Sequence, residues 1–146
     1  MKKILLSLFI FLTFTTAAQA TATAEIQNCD IKTYKEFIIQ RYMTNGFQVQ
    51  VPNDFSIVAT KKLDSKAAIL FLKMTSGTRL NKRVEYQTNF NIIKKGENIL
   101  VQLTLAAITD SGTTFQKIYS MNTNQEINEL NAVNAEFIGN LNNDKK

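Results

Sequence analysis

The chain has 146 residues, with 17 lysines and arginines against 12 aspartates and glutamates, no histidine, and Cys29 as its one cysteine. That length suits one ordinary domain. The missing histidine removes Ser-His-Asp and Cys-His mechanisms and zinc sites built on histidine or on several cysteines. A single cysteine forms no internal disulfide, so it is buried as a small apolar group, stays free, or pairs with another chain.

At the start, Lys2 and Lys3 precede an apolar run at residues 4–14 broken only by Ser7 and Thr13, and Ala18-Gln19-Ala20 has the small-x-small pattern of a cleavage site. A run of about 11 residues is too short to cross a bilayer, which takes about 20. Residues 1–20 therefore read as a secretory signal peptide, and residues 21–146 as a single α+β domain, periplasmic or secreted. Ala22-Thr23-Ala24 offers a second cut, so the mature chain begins at Thr21 or Glu25. Ile26-Gln27-Asn28 are polar and bulky where a lipidated cysteine has small apolar neighbours, so neither a membrane span nor a lipid anchor is expected. Removing residues 1–20, with Lys2 and Lys3 among them, leaves 126 residues and a net charge of +3. That mild charge weakens any nucleic-acid reading based on basicity, and no aromatic stands among the basic residues of the lysine-rich turns.

Asp30 is a candidate N-cap for a helix running through Thr44, in which Ile31, Tyr34, Phe37, Ile38 and Tyr42 form one apolar stripe. Asn45-Gly46 ends it with residues that tolerate the left-handed conformation. Six strand candidates follow, at residues 47–51, 55–61, 68–75, 84–92, 99–107 and 113–120. The clearest is VEYQTNFNI, in which Val84, Tyr86, Thr88, Phe90 and Ile92 alternate with polar residues. Ile99, Val101, Leu103, Leu105 and Ala107 repeat the rhythm, and Lys95-Gly96-Glu97-Asn98 joins the two as a hairpin. Period-two alternation predicts one buried and one wet face. Last comes a helix from Thr123, where Thr123-x-x-Glu126 has the pattern of a capping box. Ile127, Leu130, Val133, Phe137 and Leu141 are its stripe, and residues 142–146 its polar tail.

These elements predict an antiparallel meander of about six strands with the N-terminal and C-terminal helices packed on one face, since each amphipathic element needs an apolar partner. Residues 21–27 can add a short edge strand. The resulting order is similar to that of helix-grip domains, and the resemblance implies an apolar or lipid-like ligand held between sheet and final helix. Its cavity would be lined by Phe37, Tyr42, Phe90, Leu103 and Phe137.

Two surfaces are candidates for contact with other molecules. In a simple meander the turns at residues 61–66 and 94–97 share an end, placing Lys61, Lys62, Lys66, Lys94 and Lys95 on one rim that could take anions. Lysines also populate turns because turns face water, and they discourage edge-to-edge pairing. In AAILFLKM, Ile69 and Phe71 are apolar on the parity opposite to Leu70 and Leu72. Either another segment of the chain covers them, or a partner or second copy does, or the strand has the other parity.

Catalysis would rest on paired carboxylates or an activated lysine. The acids are scattered through turns and helix faces, and Asp54 with Asp110, placed at one end of the meander, is the best pair. No phosphate-cradling loop occurs among the five glycines. No cofactor or metal is expected. The residues describe an exported, non-catalytic binding domain that engages an envelope protein, with apolar-ligand carriage as the alternative and a carboxylate hydrolase a distant third.

Overall fold

A computed structural model describes residues 22–64, 66 and 84–143. Eight elements occur among them: β1 (Ala22–Ile26), α1 (Ile31–Thr44), β2 (Gln48–Asn53), β3 (Ser56–Lys62), β4 (Val84–Lys95), β5 (Asn98–Thr109), β6 (Lys117–Ser120) and α2 (Thr123–Asn143). The fold is α+β, with a six-stranded antiparallel sheet in the order β1-β5-β4-β3-β2 and β6 also paired to β5. The predicted strand at residues 68–75 lies outside the described residues.

The β4–β5 hairpin is the spine. Its strands pair over their whole length, from Val84↔Thr109 to Lys95↔Asn98, around a two-residue turn. Gly96 there has φ 65, the left-handed value that a primed hairpin turn asks of its first central residue. The predicted alternation holds. Val84, Thr88, Phe90 and Ile92 on β4 and Ile99, Val101, Leu103, Leu105 and Ala107 on β5 are buried.

Both helices cover that face, and their residues share one core with it. Asp30 caps α1 by accepting from the Thr33 amide at 2.9 Å, and Tyr34, Ile38 and Tyr42 are buried along the stripe. In α2, Leu130, Val133 and Phe137 are buried whereas Leu141 is exposed, and the helix runs on through Asn142 and Asn143 rather than stopping before them. Tyr34 Oη donates to Asn134 Oδ1 at 2.7 Å, joining the two helices inside the core. Each large apolar side chain buried here contributes about 1.5–3 kcal/mol.

The capping box does not form. Asn122 is the cap, its Oδ1 accepting from the Gln125 amide at 3.0 Å, and the Glu126 carboxylate turns towards the sheet instead. The strand expected at residues 113–120 shortens to β6. Asp110 and Gly112 take positive φ (53 and 77), and the Thr113 amide and hydroxyl both donate to the Asp110 carbonyl, so residues 110–116 form a loop. Pro52 falls within β2, at an edge of the described sheet, where the register with β3 shifts between Gln50 and Asn53, a place that tolerates a missing amide.

The free edge of β5 has two occupants. β4 takes one edge throughout, so β1, opposite residues 99–103, and β6, opposite residues 106–109, lie end to end along the other. Leu105 stands between them. Its carbonyl accepts from the Met121 amide at 3.0 Å, and its amide donates to Glu126 Oε1 at 2.9 Å.

Candidate functional site

The lysines expected on one rim stand at two ends of the sheet. β3 pairs directly with β4, from Ser56↔Asn91 to Lys62↔Glu85, with no strand inserted between them in the sheet. Lys61, Lys62 and Lys66 therefore lie where β3 finishes, and Lys94 and Lys95 at the opposite end, beside the β4–β5 turn. Several are engaged within the fold. Lys61 Nζ donates to the Asn45 carbonyl at 2.8 Å and sits 5.4 Å from the Phe47 ring centre, where a cation complements the C-terminus of α1. Lys95 pairs with Glu25 at 3.1 Å. Asp54, in the β2–β3 turn, and Asp110, after β5, are likewise at opposite ends, so the expected carboxylate pair does not assemble.

The residues expected to line a ligand cavity are core. Tyr42, Phe90, Leu103 and Phe137 are each at most 2% exposed, which leaves no surface for a ligand to touch. The Tyr42 and Phe90 rings meet edge to face with centres 5.5 Å apart, and Phe137 packs on Tyr34 at 4.9 Å. Phe37 alone is partly open. It lines a cleft of about 200 Å³ between the helices, with Gln40, Arg41, Glu136 and Asn140. A second groove of about 210 Å³ lies where β3 meets β4, along Gln48, Thr60, Lys62 and Glu85. Both are smaller than the roughly 300 Å³ at which small-molecule sites usually begin.

Among the described residues a polar cluster joins α1 to α2. Arg41 reaches Glu129 at 3.0 Å and Glu136 at 2.7 Å, and the Tyr42 phenol donates to the same Glu129 oxygen at 2.7 Å. The guanidinium also lies 5.2 Å from the Tyr42 ring centre. Burial, reinforced by Glu129, holds the Tyr42 phenol far above its ordinary range, and burial pushes Tyr86 beside it up to about 12. Both phenols are neutral donors at physiological pH, so neither is poised to take a proton. The arrangement fastens two helices.

Glu126 is the acid that sequence reasoning missed. It is 3% exposed, and burial raises its pKa against the opposing pull of the Leu105 and Ala22 amides. Its Oε2 is buried without a hydrogen-bond donor. The sequence around it carries no apolar run. Its burial comes from the gap between β1 and β6, which only the assembled sheet reveals.

Cys29 is buried and free, and burial lifts its thiol to about 11. Among the described residues no group of three or more Asp, Glu or Cys side chains is placed to hold a metal, and no helix is long and apolar enough to cross a membrane. Ile69 and Phe71 lie outside the described residues. Of the apolar side chains that are described, Phe115 and Ile118 protrude most, at 74% and 64% exposure, from the loop before β6 and from β6 itself. No known protein family matches the chain, and no characterised protein is detectably similar to it in sequence.

Proposed function

We propose that this chain is an exported, non-catalytic binding domain that engages a protein partner in the cell envelope. The observation that carries the reading is the pair Phe115 and Ile118. Ile118 stands on a four-residue strand that pairs with β5 alone among the described strands. Large exposed apolar side chains on an open sheet edge are unfavourable in water and suit a protein contact. Packing of the former cavity residues supports this reading over carriage of an apolar ligand. The neutral phenols and the separated carboxylates support it over hydrolysis.

The test is site-specific photo-crosslinking in cells. A photoreactive residue at position 118 should give one discrete adduct, which Phe115→Asp abolishes, while the same residue at the exposed position 32 gives none. No adduct at 118, or an adduct indifferent to Phe115→Asp, would remove this surface from the proposal. Native mass spectrometry of the purified chain covers the alternative, because a co-purifying lipid-sized mass would favour the carrier.

A further inference from the structure

The C-terminal end of α1 is built on a chemically labile pair. Asn45-Gly46 is the one place in the sequence where glycine follows asparagine. In a flexible chain such a pair loses ammonia spontaneously, because a residue without Cβ lets its backbone nitrogen swing onto the asparagine side chain. Both residues are nevertheless required where they stand. Gly46 has φ 79, a left-handed value that other residues rarely adopt at the end of a helix. Asn45 caps the helix twice on the Arg41 carbonyl, with its backbone amide at 3.1 Å and its side-chain Nδ2 at 2.8 Å.

Each group that the loss of ammonia must move is tied. The nucleophile is the Gly46 nitrogen, and its N–H donates to the Met43 carbonyl at 3.0 Å. The electrophile is the side-chain carbon of Asn45, whose Nδ2 is held on Arg41. At ψ 10 the Gly46 nitrogen lies nearly eclipsed with the nitrogen of Asn45 rather than with its Cβ, so ring closure has to turn the Cα–C bond. That turn swings the Asn45 carbonyl, which accepts from Lys61 Nζ at 2.8 Å. On the far side of Gly46, the Phe47 amide donates to the Tyr42 carbonyl at 3.0 Å. Asn45 and Gly46 are both exposed, so the protection comes from this bonding and not from exclusion of water.

We propose that Asn45 is a latent deamidation site that the folded end of α1 holds closed, with Lys61 of β3 as its outer tether. When that end frays, the Gly46 nitrogen gives its proton to solvent base and bonds to Asn45 Cγ, and Nδ2 leaves as ammonia. Water then opens the ring at either carbonyl, giving aspartate or isoaspartate. Both products lack the donor to Arg41 and put a carboxylate at the negative end of a helix. Isoaspartate also reroutes the main chain through the side-chain carbon, which breaks the bond between Phe47 and Tyr42. Arg41, which binds α2 through Glu129 and Glu136, lies in the same turn, so the modification loosens the helix pair.

The experiment incubates the purified full chain in mildly alkaline buffer and follows the Asn45-Gly46 peptide by mass and by isoaspartate content, with a guanidinium-unfolded sample alongside. The native chain should deamidate there at least about tenfold more slowly than the unfolded one, as expected where reaction needs local opening. Lys61→Met should raise the native rate by roughly threefold or more and leave the unfolded rate unchanged, as loss of one tether predicts. Lys61→Arg, which keeps a donor, should stay near the parent. Lys61 is exposed, so neither variant disturbs the core. Asn45→Asp, one of the products made directly, should lower Tm by several degrees. Native and unfolded chains reacting at one rate overturn the closed site. A Lys61→Met rate equal to the parent's overturns the role of Lys61, and an Asn45→Asp chain as stable as its parent overturns the consequence for α1.

Discussion

Arg41 offers the sharpest test of how the two helices are held. Its side chain is 16% exposed and bonds Glu129 and Glu136 from the last turn of α1. Arg41→Met keeps an apolar stem over the Tyr42 ring and removes only the charged head. The Glu129 bond is shielded and charge-assisted, a class worth about 1.5–3 kcal/mol. Glu136 is half exposed, so that pair is worth the surface value of about 0.2–1 kcal/mol. The expected loss is therefore about 2–4 kcal/mol, part of it being the cost of Glu129 left with Tyr42 alone. At roughly 4 °C per kcal/mol for a domain of this size, Tm falls by about 8–16 °C. Urea unfolding of single and double variants separates the contributions. Coupling between Arg41→Met and Glu129→Gln should reach about 1–2 kcal/mol, while coupling with Glu136→Gln stays below about 0.5 kcal/mol. An Arg41→Met chain as stable as its parent, or two equal couplings near zero, would refute the clamp.

Two further outcomes follow from buried polar groups. Tyr34→Phe strips the donor from Asn134 Oδ1 inside the core and should cost about 1–2 kcal/mol in urea unfolding; an unchanged midpoint would mean that Asn134 finds another donor. The Cys29 thiol, raised from 9.0 to about 11, stays protonated in the fold at pH values where the unfolded chain has already lost that proton. Its contribution to stability is thus complete below about pH 9 and lost as pH climbs towards 11. Cys29→Ala should flatten that part of the stability profile, and Ellman's reagent at pH 8 should label the parent no faster than it unfolds. Rapid labelling of the native chain would show the thiol to be open.

The elements were legible wherever local chemistry decides. Strict alternation in β4 and β5, an Asp before an apolar stripe in α1 and a glycine turn at residue 96 each carry their own instructions. The failures share a cause in non-local pairing. A meander read from the sequence alone inserts a strand between β3 and β4. The two in fact pair directly, which sends Lys61 and Lys94 to opposite ends and separates Asp54 from Asp110. The capping-box pattern at Thr123 was real as a pattern, but the amide of Leu105 competes for Glu126 and wins because it is buried and otherwise orphaned. Aromatic residues at positions 42, 90 and 137 read equally well as a cavity lining or as a core. Only their mutual packing, ring on ring, decides between the two.

The distribution of order along the sheet edges ties these points to the proposed function. β2, at one edge, carries Pro52 and a register shift between residues 50 and 53, two devices that spoil pairing with a further strand. At the other edge β1 is short and its Glu25 is bound to Lys95 and Asn98. Among the described residues β6 carries no such guard. It shows Ile118 to solvent, and Phe115 beside it in sequence is more exposed still. β2 also exposes Val51, at 46%, but Pro52 and the register shift interrupt its ladder. β6 exposes Ile118 on an uninterrupted one, which supports the proposed partner surface. Aspartate at position 115 or 118 should leave stability within about 0.5 kcal/mol of the parent, as expected for exposed sites. If instead either variant unfolded the domain, those side chains would belong to its core and the partner surface would lie elsewhere.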